Sequence, residues 1–380
     1  MSAGDARRLG VARAVVDDVL VEGDVEVADG LVTQVGLTPA GTGTAVPGLV
    51  DLQVNGYAGV DLLEADAGGW QQAAAALARD GVTAFVANLV TAPPERTRAA
   101  LSHVDSLAAG AATSGTGARG GDGPRARLLG AALEGPFLSP QRAGVHAPEH
   151  LRSPDVAELA ALVGHSRVTG MTIAPDLPGA LEVIRWAVDR GMLVSLGHSG
   201  CGAVAANAGF NAGARTVTHL FNAMAPITAR EPGLAGTALS RSDVVVQLIC
   251  DGVHLADESL RVALTAARGG WVLITDAMAA AGQGDGRYEL GGRTVTVAEG
   301  VARDPDGVIA GSVSTLAGAV REVVRVGASE LDAIRAVTSR PARLLGVELA
   351  RVRPGDRADV VVLDDDLEVT RVLVHGREVA

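Results

Sequence analysis

Residues 181–199 read LEVIRWAVDRGMLVSLGHS, and the fold is decided by how this stretch is parsed. A helical stretch from Leu181 to Arg190 turns at Gly191 into a short apolar run, Leu193 to Leu196. That run ends in a polar corner, Gly197-His198-Ser199. Working outward in both directions, the same unit recurs. Apolar runs of strand length occupy Leu49 to Val54, Val82 to Leu89, Leu128 to Leu133, Val168 to Ile173, Thr216 to Thr218, Val244 to Ile249 and Trp271 to Ile274. Helical stretches rich in Ala and Leu separate them, among them Trp70 to Arg79, Pro94 to Leu107 and Glu258 to Ala267. Eight βα units in about 250 residues is the arithmetic of an α/β protein with a (β/α)8 TIM barrel. A doubly wound open sheet would need a glycine fingerprint after its first strand, and Gln53-Val54-Asn55-Gly56 is not one.

The two ends of the chain read differently from this middle. Val19 to Val21, Val25 to Val27 and Leu31 to Thr33 are short apolar patches separated by Gly and Asp turns, and Ala358 to Leu363 and Val369 to Val374 look alike. One small β-sandwich domain assembled from both termini, residues 1–47 and 345–380, is expected beside a barrel over 48–344. Ala108 to Ala126 is low in complexity, follows a helix and precedes a strand, and so reads as a mobile insertion without chemistry on the face opposite the βα loops. Phe137 to Arg152 leaves a strand's C-terminal end and is placed to close over a site.

Composition excludes several classes. The 380 residues are 48% hydrophobic and 20% charged, a globular balance, with only 2% aromatics, so Ala, Val and Leu must build the core. A net charge of −12 argues against nucleic-acid and polybasic membrane surfaces, so neither partner is expected. Cys201 and Cys250 have no CxxC partner, Met1 to Gly10 lacks an apolar signal core, and no unbroken apolar run approaches the roughly 18 residues of a membrane helix. A cytoplasmic protein is the expectation.

Barrel enzymes gather their chemistry at the C-terminal ends of the strands. Here the residues just past six of the eight runs are Gln53 and Asn55, Glu134, His198, His219, His254 and Asp276. Four of the eight histidines, His146, His198, His219 and His254, lie at or beyond such ends. Two histidines and a carboxylate suit zinc and leave a fourth position for water, the nucleophile that amide hydrolysis needs. A separate carboxylate must then move the proton. Singly, each residue has an ordinary reading: Glu134 as half of an ion pair, His198 and His219 as satisfied buried histidines, Asp276 as a helix N-cap. Together, each ending a strand, they favour a ligand set. His103, His150 and His165 lie in helical or loop contexts and are read as structural, as are the two cysteines.

With these motifs assembled the chain resembles a known family. Pro47-Gly48-Leu49-Val50-Asp51 resembles the opening strand of the amidohydrolase superfamily. Leu133-Glu134-Gly135-Pro136-Phe137, Gly197-His198-Ser199, Thr218-His219-Leu220-Phe221-Asn222-Ala223-Met224, Asp251-Gly252-Val253-His254 and Thr275-Asp276-Ala277 resemble N-acetylglucosamine-6-phosphate deacetylases, and Asn222-Ala223-Met224 followed by Arg230-Glu231-Pro232-Gly233 is specific to that family. The resemblance implies that Glu134, His198 and His219 hold a divalent metal, that Asp276 is the general acid and base, and that His254 contacts the substrate beside the scissile amide. It further implies substrate contacts at Val145, His146, Asn222, Ala223, Arg230, Asp251, Gly252, Val253, Ile309, Ala310 and Gly311. Many superfamily members hold a second metal with His-x-His on the first strand. Gln53 and Asn55 stand there instead, so one zinc per subunit is expected, with iron, cobalt or manganese as alternatives.

The activity implied is deacetylation of N-acetylglucosamine 6-phosphate to glucosamine 6-phosphate and acetate, with the galacto epimer or another N-acyl sugar phosphate as the competing substrate. Backbone N–H groups near Asn222 and Ala223, read as the start of a helical stretch, and Arg230 would bind the phosphate. The resemblance also implies a homodimer in which Arg230 reaches the neighbouring site. A catalytically silent scaffold would be expected to lack one of Glu134, His198, His219, His254 or Asp276, and all five are present.

Overall fold

The computed structural model describes residues 6–113 and 123–380. Eight parallel strands form one sheet: β1 (Leu49–Val54), β2 (Val82–Val90), β3 (Arg127–Glu134), β4 (Val168–Ile173), β5 (Leu193–Leu196), β6 (Thr216–Val217), β7 (Val245–Ile249) and β8 (Trp271–Ile274). They are hydrogen-bonded in chain order. The ring is completed beyond the strands, where Val54 bridges Ala277 in parallel and Asn55 N–H donates to the Ala277 carbonyl at 2.8 Å. Each expected run is a strand, with ends that differ by at most one residue. Every residue of β1 and of β2 is buried, because the barrel interior covers one face and helices the other. The few aromatics are spent inside: Tyr57, Trp70, Phe85, Phe137 and Phe210 are fully buried among Ala, Val and Leu.

Helices Ala67–Arg79, Pro94–Thr113, Ala180–Asp189 and Asp257–Ala266 match the expected stretches. The first is capped by Asp66, whose side chain accepts from Gly69 N–H at 2.8 Å. The second corrects the reading of Ala108 to Ala126 as a loop. Its helix continues to Thr113, because an Ala-rich sequence pays little to stay helical and the single Gly110 costs only about 1 kcal/mol. Residues 114–122 of that insertion lie outside the described residues, and 123–126 run without regular structure into β3.

A six-stranded sheet runs in the order Arg377–Glu378, Val369–Val374, Val360–Leu363, Thr44–Pro47, Arg13–Val16, Val19–Glu22, so both ends of the chain supply strands. A three-stranded sheet of Arg7–Arg8, Asp24–Ala28 and Leu31–Leu37 accompanies it. Val25, Val27 and Val32 of the smaller sheet share a core with Ala14, Ala45, Val360 and Val362 of the larger. Thr44–Pro47 hands the chain to β1 through Gly48, where a β-carbon would fall 2.0 Å from Thr83 Oγ1.

A further sheet lies outside the sequence expectation. After β8 the chain forms an antiparallel sheet of Gly286–Leu290, Arg293–Ala298 and Val301–Arg303. Gly291-Gly292 is its two-residue hairpin turn, and the alternating burial of the flanking strands is the signal that marks it. Among the described residues, no helix is long and apolar enough to cross a membrane.

Candidate active site

Glu134 is the last residue of β3, while His198, His219 and Asp276 each lie two residues past β5, β6 and β8. Those three share a backbone state that side chains rarely adopt, with φ of +47°, +31° and +51°. Each carbonyl accepts a backbone bond: from a distant segment for His198 (Ser139 N–H, 3.0 Å) and Asp276 (Ser312 N–H, 2.9 Å), and within a local turn for His219 (Asn222 N–H, 2.9 Å). The left-handed kink turns each strand end so that its side chain faces the barrel axis, and strain of this kind collects at functional sites. Asp276 is therefore no helix cap; the next helix begins only at Leu316.

The kinks bring Glu134, His198 and His219 together, and all three are buried. Glu134 Oε1 is 2.9 Å from His198 Nε2 and 3.0 Å from His219 Nε2, and the two nitrogens are 3.1 Å apart. The tautomer of His198 follows from its other nitrogen. Nδ1 is 2.8 Å from the Arg142 carbonyl, which can only accept, so Nδ1 carries the proton and Nε2 presents a lone pair. Burial pushes His198 down to about 4, which keeps the ring neutral. For Glu134, burial pushes upward, but the surrounding histidines pull its carboxyl well below the usual range. Among the described residues no arginine pairs with it. A carboxylate oxygen and imidazole nitrogens converging within 4.8 Å fit a divalent ion.

The other two strand-end histidines do different work. His146 Nδ1 accepts the backbone N–H of Thr91 at 3.2 Å, so its proton sits on Nε2, 3.8 Å from Glu134 Oε1. That nitrogen is a donor, not a metal ligand. His254 Nδ1 donates to Asp251 Oδ2 at 2.7 Å, while Asp251 Oδ1 accepts the backbone N–H groups of Val253 and His254. Burial alone would raise Asp251, but His254 and those amides bring it below the usual carboxylate value.

Asp276 Oδ1 accepts two amides, from Gln53 Nε2 at 2.8 Å and Asn55 Nδ2 at 2.7 Å. Among the described residues its second oxygen has no hydrogen-bond partner. Burial and the neighbouring charge of Glu134 raise its carboxyl to about 6.

Glu134, His146, His198, His219, His254 and Asp276 line one cavity of about 330 Å³. Of the expected contacts, Val145, His146, Asn222, Ala223, His254, Ile309 and Gly311 line it, together with Glu134, His198, His219 and Asp276. Asp251, Gly252 and Val253 do not; they form the turn that orients His254. Ala310 is buried and does not line it, and Arg230 is exposed. Arg230 makes no pair with Glu231 and no other polar contact among the described residues. The expected helix start at Asn222 and Ala223 is corrected. Phe221 and Ala223 have φ of +76° and +53°, which no helix accommodates, and the helix begins at Gly233. Gln141, Arg142, Leu290 and Val308 also line the cavity, Asn88 bonds to Glu134 Oε2, and Thr91 bonds to His146 and to the Glu134 carbonyl, none of them singled out in the sequence. For Asn88 the signal was an amide inside a largely apolar strand.

Comparison with known proteins agrees with this geometry. The amidohydrolase family model matches residues 44–379. The N-acetylgalactosamine-6-phosphate deacetylase of Escherichia coli O157:H7 is 36% identical over 98% of this chain and 97% of its own. The N-acetylglucosamine-6-phosphate deacetylase of Homo sapiens is 37% identical over 87% of this chain and 82% of its own. Among solved structures, N-acetyl-D-glucosamine-6-phosphate deacetylase from Mycobacterium smegmatis, in complex with N-acetyl-D-glucosamine-6-phosphate, superposes with a TM-score of 0.89 at 36% identity, covering 99% of this chain and 100% of that one. The Thermotoga maritima enzyme of the same name gives 0.88 at 30% identity, covering 98% and 99%. The chain belongs to the amidohydrolase family and, within it, to the group of the N-acetylglucosamine-6-phosphate deacetylases.

Proposed function

We propose that this protein hydrolyses N-acetyl-D-glucosamine 6-phosphate to D-glucosamine 6-phosphate and acetate. The observation that carries the reading is the meeting, in one cavity, of a buried Glu-His-His cluster with a carboxylate that has one oxygen free. Glu134, His198 and His219 would hold one divalent ion, with zinc the best match to two imidazoles and a carboxylate. Such an ion acidifies water and polarises a carbonyl. Asp276 takes the proton from the attacking water with its free oxygen and returns it to the departing amine, as general base and then general acid. His254, with Nδ1 given to Asp251, donates from Nε2 to the developing oxyanion when its ring is charged, and Asp251 is the counter-ion of that state.

A single ion is supported by what surrounds the carboxylates. Donor N–H groups of Gln53, Asn55 and Asn88 already occupy Glu134 Oε2 and Asp276 Oδ1, and such groups repel a cation. The working unit is a cytoplasmic homodimer whose barrel, 48–344, carries a β-sandwich built from 1–47 and 345–380. Ala223 N–H, without a backbone partner among the described residues, and Arg230 from the neighbouring subunit bind the phosphate.

Acetate release from the 6-phosphates of N-acetylglucosamine and N-acetylgalactosamine and from both free sugars tests the reading. The gluco 6-phosphate should react fastest and the free sugars poorly. A galacto 6-phosphate that reacts faster establishes the second reading, which the nearly full-length match to the Escherichia coli protein favours. No release from either phosphate overturns both.

Arg230→Ala should lower kcat/KM several-fold or more for the phosphorylated substrate and leave a free sugar nearly unaffected, because the lost contact is to phosphate. Mixing Arg230→Ala subunits with Asp276→Asn subunits under exchange should restore activity, since each mixed dimer holds one complete site. No recovery despite verified exchange places Arg230 outside the neighbouring site.

A further inference from the structure

The two carboxylates that the proposed reaction uses are not independent of one another. Asn88, in β2, is buried, and its Nδ2 donates both to Glu134 Oε2 at 2.6 Å and to Asn55 Oδ1 at 2.8 Å. Asn55 then donates from its own Nδ2 to Asp276 Oδ1 at 2.7 Å. Gln53 closes the circuit, with Nε2 at 2.8 Å from Asp276 Oδ1 and 3.3 Å from Glu134 Oε2. Only one orientation of Asn55 satisfies both neighbours. Turned over, its carbonyl would face the Asp276 carboxylate and its NH2 would face the NH2 of Asn88. The bonds run one way, from Asn88 through Asn55 to Asp276, so Asn88 sets the amide that holds Asp276 while holding Glu134 directly.

We infer that Asn88 is a positioning residue that locks Glu134 and Asp276 into one hydrogen-bonded unit. By occupying Glu134 Oε2, it leaves Oε1 as the single oxygen turned to His198 and His219. By fixing Asn55, it holds Asp276 Oδ1 and presents the other oxygen to the reacting atoms. An amide in a strand whose nine residues are all buried is costly unless paired, and both of its N–H groups are spent on this circuit. Neither Asn88 nor Gln53 lines the cavity, so the role is exerted through Glu134, Asn55 and Asp276 and not by touching substrate.

This inference rests on the proposed function, and its test separates the two. Zinc affinity of the metal-free protein, measured by chelator competition, is compared for wild type, Asn88→Ala, Asn55→Ala and the double variant, alongside kcat and KM for acetate release at saturating zinc. Asn88→Ala should weaken zinc binding about 10-fold, the scale for a partner that orients a metal ligand. It should lower kcat about 10- to 100-fold with KM within about 2-fold. Asn55→Ala should lower kcat similarly with zinc affinity little changed. Because both act on Asp276 through one circuit, the double variant should fall no more than about 3-fold below the lower single. Unchanged zinc affinity in Asn88→Ala, or a double variant whose loss is the product of the singles, overturns the inference. Should Asn88→Ala not fold, Asn88→Ser carries the same test, since its hydroxyl is too short to span Glu134 and Asn55. The zinc measurement needs no turnover, so it judges Asn88 even in a chain that releases no acetate, an outcome that would sink the proposed function alone.

Discussion

Asp276→Asn is expected to lower kcat by on the order of 10² or more while zinc content and substrate binding persist. The geometry makes this a clean substitution. Asp276 Oδ1 accepts from Gln53 and Asn55, and an asparagine carbonyl oxygen in the same place can go on accepting both bonds. What changes is the second oxygen, which becomes an NH2 group that can neither take a proton from water nor return one to an amine. The kink at this residue, with φ of +51°, is tolerated by asparagine better than by most side chains, so the backbone has no reason to move. Steady-state kinetics with zinc analysis of the same sample decide the matter. A variant that keeps most of its turnover would show Asp276 to be a structural carboxylate.

The second large effect concerns the proposed ligands. His198→Ala or His219→Ala should lower zinc content and activity together, because each removes one of three donors that share a single buried point. The remaining pair is left worse off than the numbers suggest. Glu134 is buried and ionised, and removing a ligand leaves its charge without a full set of partners, so either variant should also lose thermal stability. Gln53→Ala and Asn55→Ala touch the other oxygens of the two carboxylates and should retain the tight ion. Elemental analysis should find one tightly bound ion per wild-type chain. Two would overturn the single-ion reading, and retained zinc in both histidine variants would overturn the ligand assignment.

The glycines and short apolar runs of this chain are local signals, and they were enough to determine the eight strands and the placement of Glu134, His198, His219 and Asp276 at strand ends. A strand is recognised by the residues within it, and the C-terminal end of a barrel strand is a position that sequence order alone defines. The inserted sheet over 286–303 was also written locally, in its Gly291-Gly292 turn, but its alternation was weaker than the buried runs around it. What each histidine does was a different matter. The sequence does not say which nitrogen of His146 or His198 carries the proton, and only the groups at Nδ1, an N–H for one and a carbonyl for the other, make one a donor and the other a lone pair. Those partners come from Thr91 and Arg142, 55 and 56 residues away. Asn55 and Asp276 meet across 221 residues, and Gln53 and Glu134 across 81. A hydrogen bond depends on where two atoms stand and which of them carries the proton. The sequence determined which residues reach the barrel mouth, and closure of the barrel decided which atoms face each other there.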